Sequence, residues 1–138
     1  MKRLIGLDLG SKTVGVAISD PMGMLARTLM TVRFPQYDFE TACKQVIELC
    51  KQNEVDEVVL GLPRHMNGDI GESGQMALDF KEMLLESGLQ TVTMWDERLT
   101  TVAAQRLLIS ADVSRKKRKE VIDQVAAVGI LQSYLDRK

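Results

Sequence analysis

Four carboxylates stand where apolar residues would be easier to accommodate. Asp8 closes the run LIGLD, Asp96 and Glu97 end TVTMWDE, and Asp123 sits inside VIDQVAAVGILQ. Isolated acids brought together repel one another and lose hydration, at a cost of several kcal/mol unless they are protonated or paired. A divalent cation removes that cost. Oxygen ligands select Mg²⁺ or Mn²⁺, which keep several waters and are commonly shared with a substrate phosphate. A structural reading of each acid stands beside this one. Asp8 could accept hydrogen bonds from the turn at residues 10–13, Glu97 could pair with Arg98 or Arg106, and Asp123 could form an i,i+4 ion pair with Lys119.

The elements that must position these acids follow from hydrophobic periodicity. Residues 3–9, 13–19 and 25–33 read as strands separated by tight reversals at Gly10 and at Asp20-Pro21-Met22-Gly23, an antiparallel meander. A helix is expected over 38–53, with Asp38 as N-cap, and a buried strand over 58–62. The glycine-rich stretch 63–74 reads as a loop leading to a helix over about 75–87 that Gly88 terminates. A fifth strand covers 92–95. A helix capped by Thr100 or Thr101 runs to 108, a polar basic connection spans SADVSRKKRK, and a last helix covers about 119–135. Strands alternating with helices in the second half imply parallel pairing there, with helices packed on a sheet.

Side-chain alternation puts Leu4, Gly6 and Asp8 on one face of the first strand, with Gly6 leaving room for a close approach. Parallel pairing brings the end of the fifth strand to the same sheet edge as Asp8. Adjacent acids point to opposite faces, so one of Asp96 and Glu97 joins Asp8. Asp123 lies at the border of a buried helical stripe in which Ala126 and Ala127 allow close contact with the sheet.

Bulk properties narrow the class. One core is expected from 138 residues, a length at which roughly two thirds of the chain's surface becomes buried, and the whole chain 1–138 reads as a single domain. With 45% hydrophobic and 27% charged residues, neither disorder nor low complexity fits. Apolar runs stay far below the ~20 residues of a membrane span and the N-terminus does not resemble a secretory signal, so a cytoplasmic location and no membrane partner are expected. Cys43 and Cys50, seven positions apart on one helix and so about 10 Å apart along its axis, read as free packed thiols. At a net charge of −1 the molecule is no polycation, so affinity for nucleic acid must come from a local patch. Lys12 beside Asp8 and the run Arg115, Lys116, Lys117, Arg118, Lys119 supply candidate phosphate contacts, although such a run is often only a solvated loop. His65 reads as a surface loop residue. Trp95, Tyr134 and the methionines read as packing residues.

DLGSKTVGVAISD, GLP, DERLTT and VIDQVAAVGILQSYL, in this order and over nearly the whole chain, resemble the YqgF family. This family is also called RuvX-like and is a branch of the ribonuclease H-like superfamily. The resemblance implies an α/β fold with a five-stranded mixed sheet in the order 3-2-1-4-5 and helices on both faces. It also implies a metal-dependent nuclease site in which Asp8, Glu97 and Asp123 are the catalytic acids and hold Mg²⁺ or Mn²⁺. Members are described as nucleases maturing the 5′ end of pre-16S ribosomal RNA, which implies pre-rRNA and ribosomal assembly particles as partners. By older analogy they are described as Holliday junction resolvases acting on four-way DNA. Thr13 departs from the family, many members of which have arginine after the lysine. Two other classes compete. A nucleotide-dependent phosphotransferase also opens with D-x-G and a Ser/Thr hairpin but needs a second lobe, and a non-catalytic RNA-binding assembly factor could rest on the basic run alone. A resolvase requires a symmetric dimer, and no exposed apolar stripe suggests one, so a monomer or weak homodimer is expected.

Overall fold

The computed structural model describes residues 3–100 and 115–137, with the backbone alone for 115–123. Strands β1 (Ile5–Leu9), β2 (Thr13–Ser19) and β3 (Ala26–Arg33) form the expected antiparallel meander. Helix α1 (Phe39–Gln52), strand β4 (Glu57–Leu62), helix α2 (Glu72–Glu86) and strand β5 (Thr91–Asp96) follow. A single 3₁₀ turn (Glu97–Leu99) and helix α3 (Arg115–Leu135) complete the described elements. The sheet order is β3-β2-β1-β4-β5, with β4 parallel to β1 and β5 parallel to β4. The C-terminal ends of β1, β4 and β5 therefore meet at one edge.

Period-two alternation divides the core between the two faces of the sheet. Ile5, Leu7, Val14, Val16, Ile18, Val58 and Leu60 point toward α1 and α2, where they meet Val46, Phe80 and Leu84. Each such side chain, fully removed from water, contributes about 2 kcal/mol relative to an exposed one. The opposite face is built of small residues. Ala17 and Val59 meet Ala126, Ala127, Ile130 and Leu131 of α3, all fully buried. The approach is close. A Cβ added to Gly6 would lie 2.6 Å from Leu131 Cβ and 3.2 Å from the carbonyl oxygen of Ala127.

Local chemistry sets the helix ends. Asp38 caps α1 as expected, its carboxylate accepting from Thr41 N at 3.2 Å and from Thr41 Oγ1 at 2.8 Å. Past α2, Gly88 adopts φ +109°, and the amides of Gly88 and Leu89 donate to the carbonyls of Leu85 and Leu84. This is a Schellman closure, with buried Leu84 and Leu89 as its apolar contact.

Several expectations need correction. Helix α2 begins at Glu72, three residues earlier than expected, because its first-turn Gly74 fits a space where a Cβ would come 2.7 Å from the Pro63 carbonyl. The basic run Arg115–Lys119 is not a connection but lies within α3, in keeping with the good helix propensity of Lys and Arg. The methionines divide: Met83 and Met94 pack, partly buried, against the core as expected, and others do not. Met22, Met24 and Met66 are largely exposed, and among the described residues no internal methionine belongs to the fully buried core. Met22, Met24 and Leu25 form a small exposed apolar group at the β2–β3 turn. The helix expected over 100–108 lies outside the described residues, apart from Thr100. Thr100 ends the 3₁₀ turn, its hydroxyl donating to the Glu97 carbonyl at 2.8 Å.

Cys43 and Cys50 are free and buried. Burial, with Cys43 nearby, pushes the Cys50 thiol up to about 11. Trp95 and Tyr134 pack edge to face at 5.4 Å, and the Trp95 indole donates to Ser133 Oγ at 3.0 Å. Among the described residues no helix is long and apolar enough to cross a membrane.

Candidate active site

Asp8 lies one residue before the end of β1, on the face that α3 covers, and only 8% of its surface is exposed. Pairing places Gly15 of β2 beside it. On the other side the β1–β4 register runs Gly6 to Val59 and Leu7 to Leu60, so its continuation brings Asp8 alongside Gly61. Both neighbours are glycines, so no side chain from either crowds the carboxylate.

Glu97 reaches the same place from β5. A Cβ on Gly61 would lie 3.3 Å from both Cγ and Oε2 of Glu97 and 2.5 Å from Cδ1 of Ile130. The glutamate thus lies over Gly61, on the face covered by α3. Neighbouring strands are about 4.8 Å apart, so Asp8 and Glu97 lie on the same face at one sheet edge.

Asp96 goes elsewhere. It pairs in register with Leu62, whose side chain belongs to the α1/α2 face, and it caps the 3₁₀ turn by accepting from the Arg98 amide at 2.9 Å. Arg98 also grips it side-on through Nε at 3.1 Å and Nη2 at 2.7 Å, while Arg64 Nε lies 3.7 Å away. The hydrogen-bonded Arg98 guanidinium holds the Asp96 carboxyl below the usual carboxylate range. Of the two adjacent acids, Glu97 is the one that shares a face with Asp8. The sequence left that choice open until the family resemblance was considered.

The α3 backbone locates Asp123. Gln132 bonds Met24 and Ala26 near the start of β3, and Ala127 and Leu131 lie over Gly6. The helix therefore runs back toward the C-terminal end of β1 as residue numbers fall. Position 123 is four residues, about 6 Å of helix rise, before Ala127, and Asp8 is two residues beyond Gly6 in the same direction. Its side chain lies outside the described set. Among the described residues no three His, Cys, Asp or Glu side chains form a metal-sized group.

Lys12 is exposed in the β1–β2 turn, at the same edge as Asp8. That turn closes on itself, Gly10 N donating to Thr13 O at 2.7 Å, and Phe34 and Tyr37 anchor it through the carbonyls of Lys12 and Ser11. The Gly10 amide is thus committed within the turn rather than to Asp8. Arg115 to Lys119 occupy the start of α3 as described, in the part of the helix that precedes Asp123. His65 is an exposed loop residue whose ring lies against Gly71. Sequence reading missed two features: the seat that Gly61 provides for Glu97, and the two arginines gathered on Asp96. The glycine of GLP and the arginine of DERLTT were their only local signals.

Residues 2–137 match the family model of RuvX, described as Holliday junction resolvase. A Bacillus cereus (strain AH187) protein named "Putative pre-16S rRNA nuclease" is 56% identical over 136 residues, covering 99% of each chain. A Bacillus thuringiensis (strain Al Hakam) protein of the same name is 55% identical over the same length and coverage. Among solved structures, T. thermophilus RuvC in complex with Holliday junction substrate matches with a TM-score of 0.60 at 14% identity, covering 97% of this chain and 94% of that one. Fowlpox virus resolvase in complex with Holliday junction DNA matches with a TM-score of 0.56 at 12% identity, covering 97% of each. These likenesses show the expected ribonuclease H-like fold.

Proposed function

From its membership of the RuvX family, to which this chain belongs, we propose that the protein is a divalent-metal-dependent nuclease that hydrolyses phosphodiester bonds in pre-16S rRNA, at its 5′ end. The observation that carries the reading is the seating of Glu97 over Gly61, on the same face and edge as the nearly buried Asp8. Two acids on one face at one edge repel and lose hydration, and a hard cation between them would offset both. The donor set is all oxygen and fits Mg²⁺ or Mn²⁺.

Asp8, Glu97 and Asp123 would hold the ion. When bound, it supplies an activated water and charge stabilisation for the leaving oxygen. The chain's own residues do the rest. Asp8 and Glu97 would serve as ligands rather than as acid or base. Helix α3 packs tightly on Gly6, and Asp123 on the same helix would complete the ligand set. Lys12 contacts a phosphate at the same edge, and Arg115, Lys116, Lys117, Arg118 and Lys119 guide the polyanion toward the site. Nucleic acid is therefore the partner, and ribosomal assembly particles are the setting in which pre-rRNA is met.

The names of the relatives favour RNA, while the family's description favours four-way DNA as a second reading. Incubating the protein with pre-16S rRNA and with a four-way DNA junction, each with Mg²⁺ or chelator, separates them. Chelator-sensitive cleavage of the RNA alone is expected. Cleavage of the junction alone would reverse the substrate, and cleavage of neither would leave a binding protein.

A further inference from the structure

Asp96 gathers two arginines from different parts of the chain. Arg98 follows it in the 3₁₀ turn, and Arg64 comes from the loop after β4. Among the described residues, the ion pairs recorded for both arginines go to this one carboxylate, which leaves a surplus positive charge. The donors are not used up. A guanidinium carries five N–H groups. Arg98 spends Nε and Nη2 on Asp96 and reaches the Met66 carbonyl only at 3.5 Å, while Arg64 Nη1 donates to the Gly68 carbonyl at 3.3 Å. Both side chains remain about one third exposed, at 35% and 36%. Arg64 also lines an open cavity of about 430 Å³ with Pro63, His65, Gly71, Glu72, Ser73 and Gly74, one acid among them.

A purely structural tether between the loop and the end of β5 would account for the two carbonyl contacts. It would not call for a second guanidinium on an acid that Arg98 already binds through two nitrogens. Placement adds to this. Asp96 is the direct neighbour of Glu97 but belongs to the α1/α2 face, so the arginines flank the acidic edge from that side. Guanidiniums held by a carboxylate in this way are pre-organised, and planar forks suit phosphate oxygens.

We infer that Arg64 and Arg98, oriented by Asp96, form a subsite for a backbone phosphate of the nucleic-acid strand next to the scissile one. The inference rests on the nuclease reading for its substrate class but not on cleavage for its test. A fluorescein-labelled single-stranded RNA and a DNA of the same length are titrated in chelator, over about 50 to 200 mM salt, with wild type and the double variant R64Q/R98Q. Each phosphate contact on a single strand steepens the slope of log K against log salt by about 0.7, so losing two makes it shallower by about 1.4. Over that salt range the variant's affinity then falls about sevenfold less than the wild type's. R64K/R98K keeps most of the slope. Should the double glutamine variant fail to fold, R64Q alone carries the test, with an expected change of about 0.7.

An unchanged slope in the glutamine variant, a lysine variant that loses as much slope as the glutamine one, or a wild type that binds neither strand would overturn the subsite. Salt-dependent binding that needs the arginines, in a protein that cleaves nothing, would sink the nuclease reading and leave the subsite standing.

Discussion

Replacing Gly61 by alanine separates the site from the fold. The added Cβ would meet Ile130 Cδ1 at 2.5 Å and Glu97 Cγ and Oε2 at 3.3 Å. The first contact is the end of a flexible side chain and yields by rotation. The second falls on the carboxylate itself, which must move by several tenths of an ångström. Overpacking of this kind costs about 1–3 kcal/mol, and the lower backbone entropy of alanine returns about 0.5–1 kcal/mol, so a net loss near 1 kcal/mol is expected. A metal site tolerates only about 0.2 Å in its ligand distances, and misplacement by about 1 Å can cost on the order of 100-fold in rate. Gly61→Ala should therefore lose at least about tenfold in kcat while unfolding within a few degrees of wild type. Metal-dependent cleavage of pre-16S rRNA measured beside a thermal melt provides the check. Full activity in a variant that retains its fold would refute the seating of Glu97 as a functional feature.

Gly6→Ala should behave in the opposite way. Its Cβ meets the Leu131 Cβ and the Ala127 carbonyl, neither of which can rotate away, so stability should fall by about 2–3 kcal/mol in urea denaturation. Asp38→Ala removes two hydrogen bonds from the start of α1 and should cost about 1 kcal/mol in the same assay, with cleavage unchanged. Asp20 accepts from the amides of Leu25 and Met24, which holds its carboxyl below the ordinary 3.8. A depressed folded-state value means that its contribution is present above pH 3.8 and lost as pH falls through the folded value, so Asp20→Asn should flatten the acid limb of stability against pH. An acid limb as steep as that of wild type would contradict this.

What was legible in the sequence followed from local rules. Asp38 with Thr41 announces a cap, Gly88 a helix end, and the alternation of β1 and β2 their shared faces. The start of α2 was misread because Gly71 and Gly74 look like loop residues, whereas Gly74 is required by its contacts with Pro63 and Ile70. The start of α3 was misread because five cations suggest a solvated connection, while their helix propensity is high. The arrangement of the acids depended on non-local register. That Gly61 stands beside Trp95 and next to Asp8, and so under Glu97, follows from strand pairing rather than from any short motif. The same register sent Asp96 to the other face and into the hands of Arg98.

Direct metal titration tests the central claim most closely. Mn²⁺ binding followed by electron paramagnetic resonance should saturate for the wild type and weaken at least about tenfold in each of Asp8→Asn, Glu97→Gln and Asp123→Asn, a loss of about 1.4 kcal/mol or more. Unaltered Mn²⁺ binding in all three folded variants would contradict a cation held jointly by these acids.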